Sequence, residues 1–245
     1  MSEAEPDSAA IAFFDVDNTL LRGASIYYVG RAAWRRGLIS LRDIAVFAWQ
    51  QFRFLAVGEN HEHLEHVRER ALGLAGGHRQ DELVELAEEV FEQDIMPRLW
   101  PETVALANEH LAQGHEVWLI TATPELMAEV FARRLGLTGA LGTRVETVDG
   151  VFTGRLDGGV LHGQQKATAA RSLAAERGID LADCWAYSDS RNDIPLLEAV
   201  GNRVVVNPDA ALLKHAREHG WQVLPLKRAS IREARRRLRR RNRGA

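Results

Sequence analysis

The chain has 245 residues, 46% hydrophobic and 27% charged, with a formal net charge of −3. These values are ordinary for a globular protein, and no apolar run approaches the roughly 20 residues that cross a bilayer. The single cysteine, Cys184, excludes an internal disulfide and a cysteine-based zinc cluster. Because the first ten residues are polar and acidic, unlike a secretory signal, we expect a cytoplasmic protein with one large core.

Charge is distributed unevenly along the chain. Residues 227–245 contain ten Lys or Arg and one Glu, a net charge of +9, whereas residues 1–226 contain 21 basic and 33 acidic residues, a net charge of −12. The basic segment could bind a membrane surface or an acidic partner, but such a segment is more often a solvated helix end or a disordered terminus. The acidic body argues against nucleic acid as the main ligand.

The first predicted element is an apolar strand that begins at residue 11 and ends at Asp15. The next 75 or so residues show apolar positions at three and four spacing, which predicts helices and no strand. The predicted helices cover residues 24–36, 41–57, 59–74 and 81–94. The second of them is rich in aromatic residues, which is typical of a bundle interior and also of an exposed apolar lid.

After residue 100 the pattern changes to alternating helices and strands. Asp149 and Gly150 lie between two β-prone runs and predict a hairpin. Predicted helices cover residues 103–113, 124–135, 165–177 and 194–199, and predicted strands cover 116–121, 141–145, 183–187 and 203–206. This alternation predicts an α/β fold with a parallel sheet. Residues 1–22 and 98–226 would form its core, 23–97 a helical insert, and 227–245 a basic tail.

Two carboxylates, Asp15 and Asp17, follow the first strand one residue apart. In an extended chain alternate side chains share a side, so both can face the carboxyl edge of the sheet, where open α/β folds bind ligands. Like charges about 4 Å apart repel by roughly 4 kcal/mol at an effective dielectric of 20, which calls for a cation or a shared proton. The alternative is an ordinary polar turn.

Four more residues near predicted element ends carry matching groups: Thr121, Lys166, Asp189 and Asp193. A hydroxyl before a helix start and a lysine can hold a phosphate, and carboxylate oxygens suit Mg²⁺, which also binds substrate phosphate. Taken singly, Thr121 is also a good helix cap, Lys166 an ordinary surface lysine, and each aspartate a turn former. Together they complement the charges of the Asp15 and Asp17 pair.

The sequence resembles a known family. The stretch DVDNT at 15–19, Thr121, Lys166 and SDSRND at 188–193 are similar to the four ordered motifs of haloacid dehalogenase superfamily phosphatases, in the branch similar to phosphoserine phosphatase. The resemblance covers about residues 10–225. It implies a Rossmann-like core with an inserted α-helical cap of type 1, and a Mg²⁺-dependent phosphomonoester hydrolase.

The resemblance also implies roles. Asp15 would be the nucleophile that forms an aspartyl-phosphate, and Asp17 the general acid and base. Mg²⁺ would be bound by the Asp15 carboxylate, the Asp17 carbonyl and Asp189, with Asp193 supporting a metal-bound water or Lys166. The residues implied for phosphate or substrate binding are Thr121, Ala122, Lys166, Asn192 and, in the cap, Arg70.

Three positions bear on the substrate. Ala24 stands about where phosphoserine phosphatases have a Glu that contacts the substrate amino group, which weakens phosphoserine as the substrate. Arg70 is the match for a cap arginine that holds a substrate carboxylate. Ser188 begins the fourth motif where Gly is usual. Histidinol phosphate and a lysophospholipid phosphate therefore remain alternatives.

Two other classes of protein share parts of this pattern. A signalling receiver also combines acidic residues, a hydroxyl and a lysine, but its acceptor aspartate ends a middle strand and it has no helical insert. A noncatalytic module that binds a phosphorylated ligand would be expected to lack Asp15 or Asp17, and both are present.

Overall fold

The computed structural model describes residues 10–40 and 76–241, with side chains up to residue 236. Two predicted insert helices, at 41–57 and 59–74, and the candidate substrate ligand Arg70 lie outside the described residues.

The described residues contain eight strands. A six-stranded parallel sheet has the order β3-β2-β1-β6-β7-β8, and β4 pairs with β5 in a separate antiparallel hairpin. The strands are β1 (Ile11–Phe14), β2 (Glu116–Pro124), β3 (Gly139–Thr143), β4 (Val145–Val148), β5 (Val151–Leu156), β6 (Trp185–Ser188), β7 (Asn202–Val206) and β8 (Gln222–Leu224).

The first strand lies in the interior of the sheet and is buried on both faces. All four residues of β1 have no exposed surface, as expected for a continuous apolar run in a parallel sheet covered by helices. Ala12 and Phe14 belong to the hydrophobic cluster on one face, and Ile11 and Phe13 to the cluster on the other. This arrangement fixes β1 rigidly beneath the residues that follow it.

Helices cover the sheet and confirm the predicted α/β class. In chain order they are α1 (Ser25–Arg35), α2 (Gln80–Val90), α3 (Pro101–Ala112), α4 (Glu125–Leu135), α5 (Gln164–Arg177), α6 (Ile194–Ala199), α7 (Ala210–Glu218) and α8 (Arg228–Arg241). Predicted and observed helix ends agree to within a few residues for α1, α3, α4, α5 and α6. No helix in the described ranges is long and apolar enough to cross a membrane.

Three strands differ from their predicted bounds, and one of them, β3, covers residues 139–143 instead of 141–145. The predicted strand 116–121 extends to Pro124 in β2, because Pro124 pairs with Thr143 beyond an irregularity in register. The predicted strand 183–187 starts late, since residues 181–183 form a short 3₁₀ turn whose Ala182 N–H donates to the Asp180 side chain at 2.9 Å. A local cap therefore replaces strand pairing at that point.

The hairpin predicted at Asp149 and Gly150 is confirmed. Both residues have positive φ, 51° and 76°, as the two-residue type I′ turn requires. The hairpin also touches the returning end of the insert, because the Phe152 N–H donates to the His78 carbonyl at 2.9 Å and the Gln80 N–H to the Gly150 carbonyl at 2.9 Å.

The chain segments on either side of the predicted insert, whose described parts are residues 23–40 and 76–97, lie next to each other. The Arg22 N–H donates to the Arg98 carbonyl at 2.8 Å, and the Trp100 N–H donates to the Leu20 carbonyl at 2.9 Å. Helix α2 continues as a π-helical turn, Phe91–Ile95, and packs against α4. The two chain crossings between insert and core therefore lie side by side.

The first half of the basic segment forms part of α8 and packs on the core. Ile231 is buried, the Ser230 hydroxyl donates to Glu102 at 3.1 Å, and the Arg235 Nε donates to the Pro97 carbonyl at 2.5 Å. Helix α8 therefore contacts both α3 and the returning linker of the insert.

Candidate active site

Three neighbouring strands bring candidate residues to one edge of the sheet. Because β2, β1 and β6 are adjacent and parallel, the polar residues at their carboxyl ends meet there. Asp15 follows β1, Thr121 lies near the end of β2, and Asp189 follows β6. The Asp15 N–H donates to the Tyr187 carbonyl at 3.0 Å, which holds Asp15 in line with the sheet.

Lys166, in the first turn of α5, joins two buried carboxylates. Its Nζ donates to Asp15 Oδ1 at 2.6 Å and to Asp193 Oδ2 at 2.8 Å. The Ser188 hydroxyl donates to the same Asp193 oxygen at 2.7 Å. All four side chains are almost fully buried, so this is a connected polar network within the protein interior.

Burial and crowding of charge shift the pKa values of this network. The pKa of Asp15 is raised to about 8, chiefly by burial; Lys166 opposes this rise, and nearby Asp193, Asp17 and Asp189 contribute to it. Burial and Asp193 raise the pKa of Asp189 to about 7. Burial lowers the pKa of Lys166, but Asp15 and Asp193 outweigh this effect and hold the pKa above its usual range, so the lysine is cationic.

Asp17 contacts the start of α1. Its Oδ1 accepts the backbone N–H of Ser25, the first residue of α1, at 2.8 Å. The Ser25 hydroxyl lies 2.8 Å from the Thr123 hydroxyl, and the Thr121 hydroxyl donates to Thr123 at 3.1 Å. Asp17 and Thr121 therefore lie at the two ends of one connected group.

Asn18 holds the loop that follows β1. Asn18 has φ 58°, a left-handed conformation that Asn tolerates better than most residues, and its Oδ1 accepts the Gly23 N–H at 3.0 Å. A hydrogen bond from the Asn18 side chain lowers the pKa of Asp189, against the raising effect of burial. Asn18 thus connects the loop after β1 to the loop after β6.

The backbones of Ala122 and Asn192 make local contacts in the loops that carry them, and their predicted part in phosphate binding stays a prediction. The Ala122 carbonyl accepts the Thr143 hydroxyl at 2.9 Å, and the Asn192 N–H donates to the Ser190 hydroxyl at 3.3 Å. The Asn192 carbonyl lies beside Gly163, where an added Cβ would be 3.5 Å away. These contacts join the end of β2 to β3 and the turn before α6 to the residue that precedes α5.

The donor set fits a divalent cation. Asp15, Asp17, Asp189 and Asp193 bring four carboxylates to this edge of the sheet together with one cationic side chain, Lys166. Burial is the main cause of the raised pKa values of Asp15 and Asp189, and neighbouring carboxylates raise them as well. Across residues 10–40 and 76–241, no three His, Cys, Asp or Glu side chains are arranged as a metal site. Two carboxylates and a backbone carbonyl would suffice for Mg²⁺, which keeps several waters.

The structure adds contacts that the sequence analysis did not predict. Ser25 and Thr123 bond Asp17 and Thr121, Ser188 bonds Asp193, and Asn18 bonds Asp189. Each is a small polar residue within a few positions of a candidate residue. That proximity was the available signal, but hydroxyl and amide residues are common near turns and do not stand out.

Comparisons with known proteins agree with this fold. A profile of the haloacid dehalogenase-like hydrolase family matches residues 12–198. The chain is 48% identical over 225 residues to phosphoserine phosphatase SerB1 of Mycobacterium tuberculosis (strain ATCC 25618 / H37Rv), covering 91% of this chain and 73% of that protein. It is 33% identical over 222 residues to histidinol-phosphatase of Neisseria meningitidis serogroup C (strain 8013), covering 89% and 99%.

A solved structure is also similar. The crystal structure of a protein of unknown function from Bordetella pertussis Tohama I aligns with a TM-score of 0.79 and 32% identity, over 89% of this chain and 98% of that chain. The matched family residues include the polar residues at the ends of β1, β2 and β6. The chain therefore belongs to the haloacid dehalogenase-like hydrolase family, in its branch of phosphatases similar to phosphoserine phosphatase.

Proposed function

We propose that the chain is a Mg²⁺-dependent phosphomonoester hydrolase that acts through an aspartyl-phosphate on a small phosphorylated metabolite. The observation that carries the proposal is the contact of Lys166 with both Asp15 and Asp193 at the carboxyl edge of the sheet. A buried lysine next to a candidate nucleophile can neutralise charge on both the carboxylate and an incoming phosphoryl group.

In the first step, a carboxylate oxygen of Asp15 attacks phosphorus and the bond from phosphorus to the ester oxygen breaks. Lys166 reduces the repulsion between the anionic nucleophile and the anionic phosphoryl group. In the second step, water attacks the phosphorus of the aspartyl-phosphate and releases inorganic phosphate, which regenerates the Asp15 carboxylate. Most of the catalysis comes from positioning and charge neutralisation, as in phosphoryl transfer generally.

Asp17 is the proposed proton carrier. Because its Oδ1 accepts the Ser25 N–H, the acidic proton belongs on the other carboxyl oxygen, which donates it to the leaving alkoxide. The resulting carboxylate then takes a proton from the attacking water. The fixed Oδ1 keeps the carboxyl group in one orientation through both steps.

The Asp15 carboxylate, the Asp17 carbonyl and Asp189 are the proposed Mg²⁺ ligands. When bound, Mg²⁺ supplies positive charge beside the phosphoryl oxygens and favours the ionised carboxylates. Thr121, Lys166 and the Ala122 N–H are proposed to hold phosphoryl oxygens, with Asn192 beside them. Arg70 stays a proposed substrate ligand on sequence grounds alone.

The substrate is proposed from the relatives. The relative at 48% identity is named for phosphoserine, whereas one at 33% is named for histidinol phosphate. Phosphoserine is therefore the first candidate, although Ala24 offers no charge to a substrate ammonium group. We also propose a cytoplasmic setting, in which the buried thiol of Cys184 stays reduced.

Hydrolysis of p-nitrophenyl phosphate, with Mg²⁺ or with a chelator, tests the proposed reaction. We expect turnover that needs Mg²⁺ and falls at least about 10³-fold in Asp15→Asn. Asp157→Asn, which changes an exposed carboxylate, is the control and should match the wild type. Phosphate binding without turnover would indicate a noncatalytic module instead, and activity that survives Asp15→Asn would contradict the proposed nucleophile.

A panel of phosphoserine, histidinol phosphate, sugar phosphates and lysophosphatidate separates the substrate candidates. We expect the highest kcat/KM for phosphoserine. A higher value for histidinol phosphate or lysophosphatidate would reassign the substrate and leave the proposed chemistry unchanged.

A further inference from the structure

Three buried hydroxyls connect the insert to the proposed phosphate site. The Ser25 and Thr123 hydroxyls are 2.8 Å apart, and the Thr123 and Thr121 hydroxyls are 3.1 Å apart. Their residues are 0%, 5% and 2% exposed. We call this row Ser25, Thr123 and Thr121 the hydroxyl chain. Its members come from α1 and β2, elements separated by almost 100 residues in sequence.

Ser25 makes a second contact that bears on the chemistry. Its backbone N–H donates to Asp17 Oδ1 at 2.8 Å, as the first residue of α1. A carboxylate at a helix N-terminus accepts N–H groups that the helix itself leaves without partners. One residue thus contacts both the proposed proton carrier and the hydroxyl chain that ends at Thr121.

The hydroxyl chain must reverse the direction of its hydrogen bonds when a phosphoryl group binds. A hydroxyl has a single proton, and in the structure Thr121 donates that proton to Thr123. Thr121 cannot donate to Thr123 and to a phosphoryl oxygen at once. If Thr121 turns to a phosphoryl oxygen, Thr123 can donate to Thr121 in its place, and Ser25 can donate to Thr123.

We propose that Ser25 is a positioning residue that acts in two ways: its hydroxyl sets the donor direction of the hydroxyl chain toward Thr121, and its N–H orients Asp17. The inference rests on the proposed function, since it needs a phosphoryl oxygen at Thr121. Hydrogen bonds in series polarise one another, so a complete chain makes Thr121 a stronger donor than an isolated hydroxyl. Through Ser25, the start of the insert is coupled to the phosphate site.

The test uses variants that remove one hydroxyl each. Ser25→Ala keeps the N–H to Asp17 and removes only the link to Thr123, and Thr123→Val removes the middle link. Each should lower kcat/KM for p-nitrophenyl phosphate about tenfold and weaken inhibition by inorganic phosphate to a similar degree. Thr103→Val is the matched control, because Thr103 is equally buried and donates to the Trp100 carbonyl at 3.2 Å, away from the site.

Two further variants separate positioning from simple loss of packing. Thr123→Ser retains the hydroxyl and should retain most of the activity that Thr123→Val loses. The double variant Ser25→Ala with Thr123→Val should lose no more than either single variant, because one gap already interrupts the chain. If the melting temperature shows that Ser25→Ala does not fold, the inference is tested by comparing the activities of Thr123→Val and Thr123→Ser.

The inference is overturned if Ser25→Ala behaves like Thr103→Val, or if the double variant loses about 100-fold, the product of the two single losses. These outcomes are distinct from failure of the proposed function. If the wild-type protein hydrolyses no phosphomonoester, the affinity for inorganic phosphate in the presence of Mg²⁺ tests the inference. An affinity about tenfold weaker in Ser25→Ala than in the wild type supports the role of the hydroxyl chain. Equal affinities, or no binding to either protein, overturn that role.

Discussion

A single carboxylate oxygen, Asp193 Oδ2, accepts hydrogen bonds from both Lys166 and Ser188. Two donors fix the orientation of that carboxylate, and the carboxylate in turn holds the ammonium group of Lys166 against Asp15. The presence of Ser188 where the family usually has Gly therefore adds a contact that supports the site. Proposed catalytic groups are positioned by neighbours that would not themselves touch the substrate.

A second buried polar network lies beside β6, the strand that contains Ser188 and Tyr187. His110 Nε2 is 2.8 Å from the Tyr187 hydroxyl, and His110 Nδ1 is 2.8 Å from His115 Nδ1. Burial, with a further contribution from His115, lowers the pKa of His110 to about 4. His110 is thus kept neutral in the folded protein at pH values where an unfolded histidine becomes charged.

We predict that this histidine makes the protein sensitive to acid. The unfolded chain takes up the proton near pH 6.5 and the folded chain only near pH 4, so stability is complete above pH 6.5 and falls as the pH decreases toward 4. The loss would reach on the order of 3 kcal/mol. In His110→Gln, the free energy of unfolding from urea titrations should depend less steeply on pH across this window.

The same substitution at the exposed His219 provides the control, and its pH dependence should follow that of the wild type. The Tyr187 hydroxyl, His115 and Glu109 are the other titratable groups near His110. Equal slopes in His110→Gln and the wild type would show that His110 does not contribute to acid sensitivity.

At the scale of residues, charge was easier to predict than hydroxyl contacts. Asp15, Lys166 and Asp193 could be chosen because Asp15 directly follows an apolar strand, where a charge is costly, and the other two carry complementary charges near helix starts. The structure places these three side chains in contact. Ser25 and Thr123 could not be chosen, since their partnership depends on how α1 approaches β2 in space and not on any local pattern.

At the scale of elements, the two linkers of the insert are held together by a buried aspartate in the π-helical turn. Asp94 is 2% exposed; it pairs with Arg31 of α1, and its Oδ1 accepts Arg98 Nη1 at 3.2 Å. Arg98 Nη1 also donates to the Asp94 carbonyl at 2.6 Å, and Arg35 Nη2 lies 3.8 Å from Asp94 Oδ2. Three arginines therefore contact one buried carboxylate, and of these Arg35 also pairs with Glu89 at 3.7 Å.

We predict that Asp94→Asn lowers the free energy of unfolding by about 2–4 kcal/mol, because it leaves partly buried guanidinium groups without their counter-charge. Denaturant titration measures the effect. Asp81→Asn, which changes an exposed carboxylate paired with Arg79 at 3.0 Å, is the control and should stay close to the wild type. A loss no greater than that of Asp81→Asn would mean that Asp94 does not clamp the linkers.

Element types were predictable where the sequence period was long and regular. Helices α4 and α5 show apolar positions at helical spacing and end at Gly136 and Gly178, both with positive φ, so their C-termini were visible in sequence. The edge strand β8 was missed because it has only three residues, one of them the exposed polar Gln222. Its strand conformation comes from pairing with β7, which no local pattern reports.

At the scale of the whole molecule, order of elements was more informative than any single motif. Alternating strands and helices after residue 100 predicted a parallel sheet, and parallel pairing alone brings the ends of β1, β2 and β6 together. The docking of α8 was not predicted, since the basic composition of residues 227–245 suggested mainly solvent exposure. A single apolar residue, Ile231, and contacts to Glu102 and Pro97 hold the helix in place.

Two truncations distinguish the structural part of the basic segment from the rest. Ending the chain after Arg236 removes five arginines and none of the contacts of α8 described above, so the melting temperature and turnover should not change. Ending it after Lys227 removes the burial of Ile231, worth about 2–3 kcal/mol, together with the hydrogen bonds of Ser230 and Arg235. The melting temperature should then fall by about 5–10 °C.

Arg235 donates a hydrogen bond to the Pro97 carbonyl in the linker. If α8 thereby supports the position of the insert, the chain that ends after Lys227 should also show an altered kcat, whereas KM for a small substrate is less affected. The chain that ends after Arg236 lacks the last nine residues, and its net charge is lower by five. If this variant binds anionic lipid vesicles less well while its melting temperature is unchanged, the outer arginines take part in partner binding. Equal melting temperatures for all three chains would contradict the view that α8 is part of the fold.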